Sequence, residues 1–471
     1  MSDMVTLVPE KGKGSLPERV NRFLESPQYI TLVCLLALLS NMFALEIVVY
    51  ALYALLTVYI CILGRDLLPL MPVFICCYIA PSVTNNPGRN PDSVFSGFGG
   101  VYMAVLGGII AAACLYRLFR DRKKYTGRKY RLLSGMLILS AAYLAGGIGI
   151  PNYWDKGGNH LLFAFLQGAS IWLLYLLFSG GVDWQRVRRD YFAWLGFCLG
   201  FVLLLQILWI YLTQEVVVDG VILRDRIYTG WGIHNNLGAM LAMMIPFAFY
   251  LAAREKWGWP GTVAGSLFLM GVFLSSSRNA ILTGCGIYFI SIVLMLYYAR
   301  DRRGSTLSTL LCMGMGAATL IVLSPKLLVL FSDILSLGFD PNSRDGMYVH
   351  GIEMFLRYPV FGCSFFSPDL SPWGWSTVEA FSGVFPPRWH NTLVQLLASC
   401  GIVGVVAYGI HRLETVVMLL KHRSEEKLFI GCSILALMIC SLFDCHFFNI
   451  GPTIFYAMSL AFAENCHRKT E

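Results

Sequence analysis

Residues 262–299 read TVAGSLFLMGVFLSSSRNAILTGCGIYFISIVLMLYYA. A helix crossing a bilayer needs about 20 apolar residues, so this stretch is too long for one span and right for a tight hairpin of two. Its polar break falls at Ser275, Ser276, Ser277 and Arg278, which holds Arg278 at a membrane interface. Apolar segments of membrane length recur on either side of the hairpin, from Tyr29 to Phe462. The pattern predicts an all-α integral membrane protein with about 12–14 transmembrane helices, fourteen being the preferred count, and one long extracytoplasmic loop.

Composition excludes a soluble domain. Of 471 residues, 56% are hydrophobic and only 14% charged, too few polar groups to cover a water-exposed surface. The net charge of +8 sits mostly in short loops between apolar segments, so it sets orientation in a membrane and does not point to nucleic acid. Residues 1–26 are polar and mixed in charge, without the apolar core and small-residue cleavage site of a removable signal peptide. Fourteen cysteines are scattered through apolar stretches, paired only at Cys76 and Cys77, and read as small buried hydrophobes. Cys363 and Cys445 fall near the same face, but spacing alone does not make them a disulfide.

Basic clusters give the orientation. Lys11, Lys13, Arg19 and Arg22 precede the first span, and residues 117–131 carry eight Lys or Arg. Arg186, Arg188 and Arg189 follow, then Arg254 and Lys256, then Arg300, Arg302 and Arg303, then the stretch from Arg412 to Lys427, and finally His467, Arg468 and Lys469. Each cluster is cytoplasmic by the positive-inside rule, so both termini are inside. The chain divides into a cytoplasmic tail (1–28), N-terminal helices (29–212), an extracytoplasmic loop (213–232) and central helices with the serine-arginine hairpin (233–323). A long extracytoplasmic loop (324–389), C-terminal helices (390–463) and a cytoplasmic tail (464–471) complete it.

The opposite face collects Arg224, Arg226, His234, Arg278, Arg344, Arg388 and His390, whose charges the orientation rule does not explain. Charged groups beside a bilayer are costly, so their convergence points to an anionic substrate held in the membrane. At the hairpin bend, serine hydroxyls lie beside a guanidinium fork suited to phosphate oxygens; the plainer alternative is an interfacial anchor. In the long loop, Asn342 or Ser343 can cap a helix on which Tyr348, Ile352 and Phe355 repeat until Pro359 stops it. Arg344, four residues before Tyr348, shares that stripe in a helix suited to the headgroup plane; a surface salt bridge is the alternative. Pro368, Pro372, Trp373, Trp375, Pro386 and Pro387 suggest a rigid aromatic lid.

His390-Asn391-Thr392 directly precedes the apolar run from Leu393 to Ile410. An imidazole at that helix entrance can take a proton from a hydroxyl, or be no more than an interfacial histidine. His234-Asn235-Asn236-Leu237-Gly238 starts another helix, where an asparagine serves as a cap and the helix N-terminus adds partial positive charge. Asp444 and His446 read as a pair that supports a helix break or gates a cavity, the structural role being preferred. D-x-D, D-x-E, G-x-x-x-x-G-K-[ST] and H-E-x-x-H are all missing from the sequence, which favours a metal-free mechanism on a lipid phosphate.

Ser277-Arg278-x-Ala280, then Arg344 with Tyr358-Pro359-x-x-Gly362, then His390-Asn391-Thr392-Leu393-x-Gln395 and Gly401-Ile402-x-Gly404 form an order that resembles the O-antigen ligase and polymerase family. The resemblance runs from His234 to Gly404. Asn279 stands where the family usually has glycine, and Ser399-Cys400 replaces a common acidic residue before Gly401. The resemblance implies a GT-C-like membrane glycosyltransferase that takes a glycan from a polyprenyl (undecaprenyl) diphosphate donor at the extracytoplasmic face of the cytoplasmic membrane. It implies no metal and no cofactor, with membrane lipids and a glycan or glycolipid acceptor as further partners. Arg278 and Arg344 would meet the diphosphate charge and His390 would act as base. Arg224, Arg226, His234, Asn236, Ser277 and Arg388 would bind substrate, and Asn391 would orient His390. The reading inclines to a polymerase over a ligase. A flippase would share the substrate, but ionisable groups such as Glu46 and Asp444 are few and lie near helix ends.

Overall fold

The computed structural model describes residues 16–85, 97–151, 153–218, 221–255, 258–322, 344–366, 388–421 and 423–466. The lid residues 368–387, the helix-capping pair Asn342 and Ser343, and the terminal charges Lys11, Lys13 and 467–469 lie outside them. Seventeen α-helices make up most of the described chain. The first nine are α1 (Leu16–Leu24), α2 (Pro27–Phe43), α3 (Glu46–Leu63), α4 (Leu70–Ile79), α5 (Gly97–Arg120), α6 (Arg122–Thr126), α7 (Leu133–Ala145), α8 (Tyr153–Gly181) and α9 (Tyr191–Thr213). A two-stranded antiparallel hairpin, β1 (Val217–Val218) and β2 (Val221–Ile222), follows. Then come α10 (His234–Arg254), α11 (Trp259–Leu274), α12 (Arg278–Tyr298), α13 (Arg302–Val322), α14 (Arg344–Arg357), α15 (Thr392–Leu420), α16 (Glu425–Cys440) and α17 (Ile450–Asn465).

This is an all-α polytopic membrane protein. Seven helices (α3, α5, α8, α9, α10, α12 and α15) are long and apolar enough to cross a membrane, and α1 with α2, bent by 64°, make an eighth if counted as one broken span. Helices α4, α7 and α11 are apolar but shorter. The hairpin of residues 262–299 is present as α11 and α12, joined at Ser275–Ser277.

Helix α10 is the centre of the bundle. From Leu237 to Ala253 every residue is buried, as expected of a helix apolar on all sides, and α9, α11, α12 and α16 surround it. An aromatic cluster ties it to its neighbours: Phe192 of α9 lies 5.6 Å from Phe247 of α10, and 5.2 Å from both Phe455 and Phe462 of α17. Such pairs contribute about 0.5–1.5 kcal/mol each beyond their buried area.

Helix α15 is broken where its sequence reads as continuous. Gly401 has φ 63° and ψ −158°, a conformation open in practice to glycine alone, and the helix turns there. The turn strips the hydrogen-bonding partners from groups on both sides of it, and the segment after α14 replaces them. Ile402 N donates to Pro359 O (2.9 Å) and Val403 N to Val360 O (3.3 Å), while Cys363 N and Ser364 N donate to Ala398 O (2.7 Å) and Ser399 O (3.1 Å). Gly362, also left-handed at φ 68°, lets that segment lie against the backbone of Ser399 and Cys400. The motifs Tyr358-Pro359-x-x-Gly362 and Gly401-Ile402-x-Gly404 are therefore two sides of one junction, which sets the direction of residues 392–400 and so of His390.

Arg412 corrects the sequence reading, which assigned it to a cytoplasmic loop. It lies inside α15, buried, with its guanidinium carbon 4.6 Å from the ring centre of Tyr408, 4.2 Å from Phe447 and 4.8 Å from Tyr456. Three ring faces provide the attraction that water would give a loop arginine.

Candidate functional site

The hairpin bend is built by its serines. Ser275 Oγ donates to Val272 O at 2.7 Å, Ser276 adopts φ 54°, and Ser277 Oγ turns from its own helix to donate to Asn235 Oδ1 at 2.8 Å. Helix α10 comes this close because of Gly238: a Cβ there would stand 2.5 Å from Ser275 Oγ and 2.7 Å from the Ala280 methyl. Arg278, half-buried, opens α12 beside this contact, and Asn279 fixes the same turn by donating to Cys440 O at 2.8 Å. The asparagine that departs from the usual glycine thus ties α12 to the end of α16.

His390 is held from both sides. It has φ 50°, an uncommon conformation for a residue other than glycine. Trp389 N donates to Gln395 Oε1 (3.2 Å), Tyr348 Oη donates to His390 O (3.2 Å), and Asn391 caps α15 by accepting from Leu393 N (2.8 Å) and Val394 N (3.1 Å). The Asn391 amide also donates to Leu442 O at 2.7 Å, joining α15 to the segment 441–449. Asn391 is therefore a helix cap whose effect on His390 passes through the backbone.

From that segment Asp444 reaches the imidazole, with Oδ1 3.2 Å from His390 Nδ1. Its carboxylate also accepts from Cys445 N (2.7 Å) and Asn235 Nδ2 (3.1 Å). A carboxylate can only accept, so Nδ1 is the donor in this pair, and in the neutral imidazole the lone pair then lies on Nε2. Asn235 bonds both Asp444 and Ser277, so one chain runs from His390 through Asp444 and Asn235 to Ser277, next to Arg278.

A second cluster adjoins the first. Arg388 donates to Asn449 Oδ1, and Asn449 Nδ2 donates to Asn236 Oδ1 (2.9 Å) and reaches His446 Nδ1 (3.3 Å). Asn449 and His446 are buried, Arg388 and Asn236 half-buried.

The other sequence candidates are placed as follows. His234 opens α10, half-buried, beside Asn235. Arg344 is the first residue of α14, one turn before the Tyr348 that bonds His390 O. Arg224 and Arg226 form a short 3₁₀ turn, where Arg226 is exposed and engaged by Glu215, at 2.6 Å to its carbonyl and 3.1 Å to its carboxylate. The structure joins Ser277, Asn236, Arg388, Asn391 and His390 in the two clusters and holds Arg226 on Glu215. Sequence reasoning missed Asp444 as the partner of His390, and also Asn449. The one available signal was an ionisable residue at the end of an apolar segment, which was read as structural.

These features define a polytopic membrane protein with a histidine-carboxylate pair and a serine-arginine bend assembled at the ends of its buried central helices. Residues 263–409 match the family described as O-Antigen ligase, so this stretch is similar to that family. No curated protein matches the chain. The matched domain supports enzymatic function of the O-antigen ligase or polymerase type, with a lipid-linked glycan and an acceptor as partners in general terms.

Proposed function

We propose that the protein is a metal-independent, inverting glycosyltransferase that extends a glycan carried on a polyprenyl diphosphate, at the extracytoplasmic face of the cytoplasmic membrane, in cell-surface polysaccharide biosynthesis. The observation that carries this reading is the chain from the His390–Asp444 pair to the Ser277-Arg278 bend. It gives a base and a cationic bend a common frame.

In this reading His390 Nε2 takes the proton of the acceptor sugar hydroxyl while that oxygen attacks the anomeric carbon of the donor sugar. The bond from that carbon to the diphosphate oxygen breaks, and the carrier diphosphate leaves with the electron pair. Arg278 and Arg344 meet the charge that grows on it, Arg224 and Arg226 add to the field, and Ser277 and His234 line the donor side. Asp444 holds the Nδ1 proton and stabilises the imidazolium until the proton returns to solvent. One displacement inverts the anomeric centre. A polymerase is preferred to a ligase because the loop 324–389 has the length to select glycan units.

The test is a reconstituted reaction in proteoliposomes with a polyprenyl-diphosphate oligosaccharide, with and without chelator. Longer glycans still attached to the carrier are expected, chelator notwithstanding. His390→Ala, Arg278→Ala and Arg344→Ala should each lower turnover by about 100-fold or more. Transfer only to an added glycolipid would make the protein a ligase, and movement of intact donor across the bilayer without a new glycosidic bond would make it a flippase. Undiminished turnover in all three variants would remove the catalytic assignment.

A further inference from the structure

The cluster around Asn449 has a polarity fixed by its one cation. A guanidinium only donates, so Asn449 must turn its oxygen to Arg388. Its nitrogen then faces Asn236, whose oxygen must accept, at 2.9 Å. The same nitrogen lies 3.3 Å from His446 Nδ1, which accepts as well. The Asn236 amino group is thereby left facing away from the cluster. The remaining N–H groups of Arg388 are likewise uncommitted: among the described residues neither side chain has a further hydrogen-bond or ion-pair partner.

Two half-buried side chains thus present donors only, on a buried carboxamide that fixes their spacing. Asn236 lies in the first turn of α10, where the helix dipole adds positive potential. The position is next to the base: Arg388 is two residues before His390, and Asn236 follows the Asn235 that bonds Asp444. A neutral sugar hydroxyl ring would be met by both donors and acceptors. A surface of donors alone, one of them a cation, matches an oxyanion.

We propose that Arg388 and Asn236, spaced by Asn449, form an oxyanion subsite beside His390 that binds a carboxylate on an acidic sugar or a phosphate of the carrier. The assignment rests on the glycan-transfer reading for its occupant, but its test is a binding measurement that needs no turnover.

Asn236→Asp is the informative variant. It keeps the oxygen that accepts from Asn449 and replaces the outward amino group with a second oxygen. Affinities of the full-length protein in nanodiscs would be measured for three probes: a sugar-free polyprenyl diphosphate, an oligosaccharide containing a hexuronic acid, and the same oligosaccharide with its carboxyl group reduced. Asn236→Asp and, independently, Arg388→Gln should each weaken at least one oxyanion probe by about tenfold or more and leave the reduced oligosaccharide unchanged. Weakened diphosphate binding assigns the subsite to the carrier, and weakened uronate binding alone assigns it to the glycan. Affinities within twofold of the parent for both oxyanion probes, in variants with unchanged thermal unfolding, would overturn the subsite. Turnover retained by His390→Ala would instead overturn the transfer reading, so the two failures are distinguishable.

Discussion

Replacing Gly401 with alanine should destabilise the protein and disable the site together. The residue sits at φ 63° and ψ −158°, where a side chain costs about 1–3 kcal/mol. The new methyl would overlap the carbonyl of Val360 and lie 2.7 Å from Pro359 O. Those two carbonyls accept from Ile402 N and Val403 N, at 2.9 and 3.3 Å. Pushing them away removes two bonds worth about 0.5–1.5 kcal/mol each, for a total of about 2–6 kcal/mol. If α15 straightens instead, Ala398 O and Ser399 O return to the helix, and Cys363 N and Ser364 N lose their acceptors. Either way residues 359–364 detach and the turn bearing His390 moves. Thermal unfolding of the purified protein in detergent should fall to a lower midpoint, amide exchange at residues 363–364 and 402–403 should accelerate, and glycan transfer should drop. Gly409→Ala is the control: it lies exposed on the same helix, its added methyl meets nothing within 4 Å, and a gain of up to about 1 kcal/mol is expected. A Gly401→Ala protein with parental midpoint, exchange and turnover would refute the idea that the break in α15 is held by the 359–364 segment.

Two more substitutions probe the assembly of the site. Asp444→Asn keeps the shape but presents an amide to His390 Nδ1, 3.2 Å away, and turnover should fall by about 100-fold or more with KM little changed; an unaltered kcat would separate Asp444 from His390 function. Gly238→Val drives side-chain atoms into Ser275 and Ala280, at a cost of about 1–3 kcal/mol, and should break the Ser277–Asn235 bond; an unchanged unfolding midpoint with full transfer would argue against that contact as the seat of the bend.

The parts legible in the sequence were those governed by local rules. The hairpin of α11 and α12 follows from length and one polar break, and α14 from helical spacing between a polar start and Pro359. His390 at a helix entrance follows from the apolar run behind it. Partnerships across the chain were not legible, because nothing in the sequence links His390 to Asp444, 54 positions further on. Nor was the break in α15, since Gly401, Gly404 and Gly409 look alike in an apolar run and only tertiary contact decides which one takes a positive φ. Arg412 misled for a related reason. A charge in an apolar stretch reads as the end of a span unless the rings that surround it, two of them from residues 447 and 456, are known to be there.

The family match and the assembled site do not share boundaries, and the difference has a physical basis. The matched stretch 263–409 contains Arg278, Arg344 and His390, but Asn235 and Asn236 precede it and Asp444 and Asn449 follow it. Those four are the groups that connect the others. Each connection crosses between chain ends that only the bundle brings together: the start of α10, the bend before α12, the entrance of α15 and the segment before α17. Helix α10 sits at the middle of them and is buried along its length, so the register of its first turn is fixed by packing far from the site. A left-handed His390 stays in place because Trp389, Asn391 and its own carbonyl are all engaged. Substitutions along the buried face of α10 should therefore reach the base and the serine-arginine bend together, through Asn235, whereas substitutions on the exposed, apolar α5 should reach neither.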